Sequence, residues 1–239
     1  MRQSIAATYA ALRRVFLQRC FYLFVTLLAL IAAAPFNDAT PSGVLITNLI
    51  DTSIVLCGVA AVGRSMLPLV ITLCLAVPSV VLRWLSTESQ ASGYYDWSLK
   101  LHAAVYAITI ALLLRYAFDR EVITADRLWG AAAAYLMIGA LWSFLYAIID
   151  RANLESFSVR GLVAPLQLTD LIYFSFSTLT TTGFGDIVPV ARLARSASVI
   201  ESIVGQLFSA ILISKLLGVY PPLRRKRRRG KNPQLIHKS

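Results

Sequence analysis

The sequence reads Thr180-Thr181-Thr182-Gly183-Phe184-Gly185-Asp186 between a short apolar run rich in Ser and Thr and a long apolar stretch near the carboxyl end. Two glycines around one aromatic residue, preceded by threonines, are unusual in a hydrophobic protein. Glycine adopts backbone angles that other residues rarely reach. Alternating such angles turns successive carbonyl oxygens towards one axis, where rings of carbonyls can replace the water around a dehydrated cation. This stretch therefore predicts a cation site lined by backbone.

The composition is that of a membrane protein. Of 239 residues, 57% are hydrophobic and 15% are charged, and the mean hydropathy is positive. The net charge of +11 could indicate a nucleic-acid partner or a nuclear-targeting signal. Eight basic residues, however, lie in the last twenty positions, and four precede the first apolar stretch. Such flanks usually mark the cytoplasmic side of a membrane, so we expect membrane lipids and no nucleic acid as partners.

Six apolar stretches are candidate spanning helices, because a helix needs about 20 apolar residues to cross a bilayer. They lie at 20–36, 44–62, 66–83, 100–118, 128–149 and 194–219. Segment 171–182 is too short to span and is predicted as a re-entrant helix. Ala32-Ala33-Ala34 could mimic a signal-peptidase site, but the long basic leader before it favours an uncleaved first helix. We thus expect an all-α, multi-pass protein of the cell membrane.

The charges predict its orientation. Six spans put both termini on one side, and their basic residues predict that this side is cytoplasmic; the Gly-Phe-Gly segment then lies near the outer face. Residues 1–19 have apolar side chains at helical spacing, which predicts an amphipathic helix at the interface. The basic run Arg224–Arg229 could bind anionic lipid headgroups. Topology anchoring alone is the alternative for both segments.

The stretch 180–186 resembles the signature of potassium channels, usually written T-V-G-Y-G-D, with Thr182 at the Val position and Phe184 at the Tyr position. The order of elements over residues 128–219 is also similar to the pore of that family. The resemblance implies a homotetramer of C4 symmetry, K⁺ as the permeant ion, no cofactor and no enzymatic activity. A less selective cation channel is the nearest alternative.

The resemblance also assigns roles within the filter. The filter comprises Thr181, Thr182, Gly183, Phe184 and Gly185. Thr181 supplies the innermost site through its hydroxyl and carbonyl, and the other four supply carbonyls above it. Asp186 follows at the outer mouth, where a ring of four concentrates cations. The hydroxyl of Thr182 needs a partner behind the filter, and Phe184 lacks a hydroxyl that would bond to the pore helix. Both changes are expected to soften the filter.

The pore helix is predicted from Thr169 to Thr180. Thr169 is the expected N-cap, and Asp170 complements the positive end of the helix dipole. Thr180, Ser177 and Phe176 are expected to support the filter. Ser177 faces its rear, in place of an acidic residue used in some relatives.

Three residues of the spans have predicted roles. Gly205 stands twenty residues beyond the last filter glycine, where pores of the resembling family often have a hinge; close helix packing is the alternative. Intramembrane carboxylates are costly and usually functional or paired. Glu201 could contact the pore helix or a neighbouring subunit, and Asp51 could pair with Asn48 or His102.

The chain thus divides into five segments. They are a basic amphipathic segment 1–19, a peripheral four-helix unit 20–118, a cytoplasmic linker 119–127, a pore module 128–219 and a polybasic tail 220–239. The fourth span has Lys100 and Arg115 at its ends and no Lys or Arg between them. A voltage sensor needs a ladder of such charges, so we expect no steep voltage dependence.

Two rivals come from other classes. Gly183-Phe184-Gly185-Asp186 matches the Gly-x-Gly-Asp motif of intramembrane aspartyl proteases, with Asp51 or Asp150 as the second carboxylate. That motif needs its Asp in a spanning helix, whereas Asp186 precedes a loop containing proline. A potassium transporter would have four pore loops in sequence, and one is found here.

Overall fold

Seven helices and three short strands make up the described part of the chain. The computed structural model describes residues 19–33, 41–62, 66–89, 92–118, 124–163 and 166–219. The helices are α1 (Arg19–Ala33), α2 (Pro41–Val62), α3 (Met66–Ser89), α4 (Ser92–Ala117), α5 (Ala125–Ala152), α6 (Leu168–Leu179) and α7 (Arg192–Val219). The strands are β1 (Phe157–Val159), β2 (Leu162–Val163) and β3 (Ile187–Pro189). Residues 1–18 of the predicted amphipathic segment, residues 119–123 of the linker and the tail 220–239 lie outside the described residues.

Five of the described helices, α2, α3, α4, α5 and α7, are long and apolar enough to cross a membrane. The first predicted span corresponds to α1, which is apolar but 15 residues long. These helices agree with the prediction of an all-α membrane protein, to which the structure adds one small sheet. The number of six spans stays a prediction.

Helix α4 begins at Ser92, eight positions before the predicted start of the fourth span. The early turns contain polar and aromatic residues that lower the hydropathy but still pack. Leu99 is buried, and the ring of Tyr95 lies 5.3 Å from the guanidinium carbon of Arg83 and 5.1 Å from that of Arg151. A helix can extend beyond the apolar stretch when its end is held by such contacts, which hydropathy does not register.

Helix α4 packs between α3 and α5, and α1 packs on α2 and α5. The buried side chains of α4 include Tyr106 and Leu113. At the carboxyl end of α4, the ammonium group of Lys215 in α7 donates to the carbonyl oxygen of Ala117 at 2.6 Å. This bond satisfies a carbonyl at the carboxyl end of α4 that the helix itself leaves without a partner. The first four helices therefore contact the predicted pore module directly.

A polar cluster joins three of the first four helices. The Nε2 atom of His102 in α4 lies 2.8 Å from Oδ2 of Asp51 in α2, and the hydroxyl of Tyr106 donates to Oδ1 at 3.2 Å. Of the two partners predicted for Asp51, the structure gives His102. Asn48 instead accepts a hydrogen bond from Nε of Arg83 in α3 at 3.1 Å. Buried charges need such partners because their desolvation is costly.

The three short strands form an antiparallel sheet in the order β2-β1-β3. In sequence, β1 and β2 precede the predicted filter and β3 follows it. Arg160 and Gly161 connect β1 to β2 with φ of +51° and +85°, as expected for a tight hairpin turn. Strand β3 follows Asp186, whose carbonyl accepts from the Arg160 amide at 2.9 Å. The sheet thus fixes the chain that leaves the filter, in a region where the sequence predicts only loop.

Candidate functional site

Helix α6 lies where the pore helix was predicted, with each end displaced by one residue. Its N-cap is Gln167, not Thr169, which lies inside the first turn. The Asp170 carboxylate accepts from the Gln167 amide at 3.0 Å, so it both caps the helix and complements the dipole there. The prediction for Asp170 agrees with this geometry, and the predicted Thr169 cap is wrong.

Aromatic contacts fix the side of α6 that faces α5 and β1. Phe174 forms edge contacts with Tyr146 of α5 and Phe157 of β1, at centroid distances of 5.1 and 5.3 Å. Phe176 lies so close to Gly139 of α5 that an added Cβ there would be 2.7 Å from its ring. Since β-carbons almost never approach so closely, a larger residue at 139 would displace the Phe176 ring. Phe176 therefore holds α6 against α5, in line with its predicted supporting role.

Helix α7 holds the other side of α6. The backbone of Gly205 is buried directly against the carbonyl group of Leu179, where a Cβ would collide with the carbonyl oxygen. One turn earlier, the Ser202 hydroxyl donates to the Thr178 carbonyl at 3.2 Å. The structure therefore gives Gly205 a close-packing role, while the hinge function stays a prediction.

Residues 181–185 belong to no helix and to no strand of the sheet; this irregular segment, called the 181–185 strand below, has alternating backbone handedness. Thr181, Gly183 and Gly185 have φ of +58°, +57° and +80°. The two glycines were expected to supply this conformation, whereas Thr181 was not, since a β-branched residue with positive φ is strained by about 1 to 3 kcal/mol. Such strain persists only where the surroundings impose it. An alternation of this kind is what lets successive carbonyl groups face one axis in a carbonyl-lined cation filter.

Backbone hydrogen bonds tie this strand to α6. The carbonyl of Ser177 accepts from the amides of Thr182 and Gly183 at 2.8 and 3.1 Å, and the carbonyl of Thr178 accepts from the Thr181 amide at 2.9 Å. The Ser177 hydroxyl itself donates to Phe174 within the helix at 2.9 Å. Ser177 thus holds the strand through its carbonyl, while its hydroxyl is bonded within α6.

The hydroxyl of Thr182 has the partner that the sequence requires for it. It lies 2.9 Å from the Thr180 hydroxyl, which also contacts the Phe176 carbonyl at 2.7 Å. If Thr180 donates to that carbonyl, its oxygen is free to accept from Thr182. The extra hydroxyl at 182 is therefore accommodated without an orphaned polar group.

At the other end of the strand, Tyr173 contacts two residues of the predicted filter region. Its ring stacks on Phe184 with an interplanar angle of 13° and a centroid distance of 5.9 Å. Its hydroxyl donates to Oδ1 of Asp186 at 3.1 Å, and the Ile187 amide donates to the same atom at 3.1 Å. Partial desolvation and the bond to Asp186 raise the pKa of the Tyr173 hydroxyl, so it remains a donor at neutral pH.

Glu201 of α7 is fully buried among α5, α6 and α7. Its Oε2 is 2.5 Å from the Tyr146 hydroxyl, and its Oε1 is 2.5 Å from the Ser175 hydroxyl. Of the two contacts predicted for Glu201, the structure shows the one with the pore helix. Tyr146 and Ser175 were not identified from sequence, because hydroxyl residues of apolar helices have no pattern that distinguishes them from ordinary packing residues.

The strand itself is uncovered in a single chain. All residues from 181 to 185 are exposed, and 68% of the Phe184 surface is accessible. Thr181 also lines an open cavity, together with Tyr135 of α5, Leu179 of α6 and Gln206 of α7 among others. Asp51, by contrast, belongs to the cluster in the first four helices, so the structure does not bring it together with Asp186 in one site.

Residues 128–220 match the sequence model of a protein family described as "Ion channel". This stretch is similar to ion channels. It contains most of α5, the small sheet, α6, the 181–185 strand and α7, while the first four helices precede it. Neither the curated proteins nor the solved structures contain a match to the chain.

The matched stretch is similar to ion channels of the pore-loop type, which are not enzymes. The described geometry agrees, because Asp186 lies between the irregular strand and β3 and not in a spanning helix. An intramembrane aspartyl protease would need it in such a helix, so this rival has no support from the structure.

Proposed function

We propose that the protein is a potassium-selective channel in which four copies surround one pore. The observation that carries the proposal is the alternation of positive φ at Thr181, Gly183 and Gly185, in a segment joined by hydrogen bonds to a short helix. Carbonyl groups that all face one axis can substitute for the hydration shell of K⁺. In this assignment Thr182 and Phe184, which lie between the three residues of positive φ, also contribute their own backbone carbonyls.

The proposed tetramer rests on the number of oxygens that are needed to surround an ion. One strand contributes one oxygen to each ring, so a single chain cannot surround an ion, and closed rotational symmetry completes the ring. The exposure of residues 181–185 in a single chain supports this arrangement. A row of large apolar side chains on α7 is also exposed: Leu193, Val199, Ile200, Ile203, Leu207, Ile211 and Ile213. Neighbouring copies and lipid would cover this face.

The proposed orientation places Asp186 at the outer mouth and both termini in the cytoplasm, as the basic ends of the chain favour. A ring of four Asp186 carboxylates would raise the local cation concentration. Arg224–Arg229 would then face the anionic inner leaflet and could bind its headgroups. Orientation and lipid contact are both accessible to labelling and vesicle-binding experiments.

The proposed channel is not steeply voltage-gated. Between Lys100 and Arg115, the one basic side chain of α4 is His102, which is held by Asp51. Moving one charge across the membrane field contributes about 2.3 kcal/mol per 100 mV. A helix without a ladder of such charges moves too little charge through the membrane field to respond steeply to voltage. Recordings that show several gating charges per subunit would contradict this part of the proposal.

The test is K⁺ flux into liposomes that contain the purified protein, compared with a Gly185→Ala variant. Gly185 has φ of +80°, and an added Cβ would meet no atom within 4 Å in a single chain. Alanine there therefore strains the backbone by about 1 to 2 kcal/mol without a clash inside the chain. Gly93→Ala is the matched control, since Gly93 is helical and has equal space.

We expect flux to be lost in Gly185→Ala and kept in Gly93→Ala. Bi-ionic reversal potentials with K⁺ and Na⁺ then separate the potassium channel from a less selective cation channel. Flux that is equal in all three proteins, or an assembly that is monomeric in mild detergent, would refute the proposal.

A further inference from the structure

Glu201 is a buried carboxyl group that the proposed conduction path does not use. Its two oxygens meet hydroxyl groups from two other helices, Tyr146 of α5 and Ser175 of α6. Another buried carboxyl with close partners, Asp51, faces the imidazole of His102 instead. A carboxylate in an apolar interior needs compensating charge or several donors. The surroundings of Glu201 supply hydroxyls in place of a cation.

Counting protons decides how these groups are bonded. The Ser175 oxygen lies 2.5 Å from Oε1 of Glu201 and also 2.7 Å from the carbonyl oxygen of Gly139. A hydroxyl has one proton, and a carbonyl oxygen accepts but cannot donate. If Ser175 donates to Gly139, then the proton between Ser175 and Glu201 must come from Glu201.

The neutral acid satisfies every contact. Tyr146 donates to Oε2, the protonated Oε1 donates to the Ser175 oxygen, and Ser175 donates to the Gly139 carbonyl. The ionised form leaves one contact empty, because Ser175 can then donate either to Glu201 or to Gly139. With the acid neutral, α5, α6 and α7 are joined by one uninterrupted chain of hydrogen bonds. Each bond of such a buried network depends on the others.

This chain reaches the candidate filter through α6. Ser175 is two residues before Ser177, whose carbonyl holds the amides of Thr182 and Gly183. A shift of α6 at Ser175 therefore displaces the acceptor that fixes the centre of the 181–185 strand. Glu201 does not touch the proposed ion path, so it would act by positioning.

We propose that Glu201 is a neutral carboxylic acid that positions α6 and thereby the filter, and that loss of its proton weakens cation selection. The groups that face it are Tyr146 from α5 and Ser175 from α6; on α7 itself, Ser198 lies one turn before it. The sign follows from the bonds: the neutral form makes the complete chain, so selectivity is highest at low pH and falls as pH rises. The functional part rests on the proposed potassium channel, while the protonation state does not.

Infrared difference spectroscopy of the reconstituted protein against Glu201→Gln tests the protonation state. The expected result at neutral pH is a protonated carboxyl band that is present in the wild type and missing in the variant. Carboxylate bands at neutral pH would overturn the proposal. This measurement does not depend on conduction, so it separates failure of this inference from failure of the proposed function.

Bi-ionic potentials across the neutral to alkaline range test the positioning role. Loss of one hydrogen bond corresponds to a change of about fivefold in an equilibrium, so we expect the wild-type K⁺/Na⁺ permeability ratio to fall about fivefold as pH rises. Glu201→Gln cannot ionise and should have a flat profile, while Ser175→Ala should be less selective at every pH. Ser53→Ala, which removes an exposed hydroxyl of α2, should follow the wild type. A Glu201→Gln profile that falls as the wild type does would refute the positioning role, even if the filter selects K⁺.

Discussion

Gly205 of α7 lies directly against the carbonyl group of Leu179, the last residue of α6, and no room is left for a β-carbon between them. The two residues join the helix that lines the proposed pore to the helix that carries the filter strand. Leu179 is buried, and its successor Thr180 already belongs to the hydrogen bonds behind that strand. Any group added at 205 must therefore push the end of α6.

Gly205→Ala is expected to destabilise the pore module and lower selectivity. The collision involves backbone, which cannot rotate away as a side chain can, and overpacking of this kind costs about 1 to 3 kcal/mol or more. A lower unfolding temperature of the assembly in detergent, with a reduced K⁺/Na⁺ permeability ratio, is the expected result. Gly93→Ala serves as control. An unchanged unfolding temperature with a reduced open probability would instead favour the hinge.

The pair Asp51–His102 is expected to stabilise the first four helices. Removing one partner leaves the other charged or polar group buried without compensation, which typically costs about 3 to 5 kcal/mol. Asp51→Asn and His102→Ala should each lower the free energy of unfolding, and the double variant should lose less than the sum. The exposed pair Asp96–Arg151 is the matched comparison.

In the exposed pair, water screens the two charges, so their mutual attraction contributes at most about 1 kcal/mol to the free energy of unfolding. Chemical denaturation in detergent monitors both pairs in the same way. If removing the Asp96 carboxylate lowers the free energy of unfolding as much as Asp51→Asn does, then burial does not determine how much each pair stabilises the protein.

The predicted filter and pore helix were readable because their signals are local. Glycine marks positive φ at Gly183 and Gly185, and apolar length places α6 to within one residue. Thr181 gave no such signal, since its local preference opposes the conformation that the contacts with α6 impose. The chain of Tyr146, Ser175 and Glu201 also escaped prediction, because its members come from three helices and meet only after packing.

The sheet escaped prediction for a different reason. Its strands are two or three residues long, too short for an alternating pattern to rise above that of ordinary loop sequence. The turn residues Arg160 and Gly161 take on a structural role only through the pairing of β1 with β2, which they connect. Short elements that depend on their partners are therefore the part of this fold that sequence reasoning finds last.

Thr182→Val is expected to leave K⁺ selection intact. The variant has nearly the same shape and removes one hydroxyl, and the Thr180 hydroxyl keeps its contact with the Phe176 carbonyl. The net loss should not exceed about 1 kcal/mol. Bi-ionic potentials check selectivity, and thermal unfolding checks stability. A loss of selectivity would show that the hydroxyl at 182 acts in the ion path and not behind it.

Tyr173→Phe is expected to loosen the end of the filter strand without removing its aromatic support. The variant keeps the ring stacked on Phe184 but loses the donor to Asp186, which retains the Ile187 amide. Because one hydrogen bond at an accessible site contributes little to the folded state, the effect should be small. Tyr173→Leu removes the ring as well and should have a larger effect.

Sustained K⁺ flux over time measures both Tyr173 variants. The expected order of decline is Tyr173→Leu first, then Tyr173→Phe, then the wild type, because the leucine variant loses both the stacked ring and the hydroxyl donor. Equal decline in the two variants would show that the hydroxyl, and not the stacked ring, accounts for the support that Tyr173 gives to the strand.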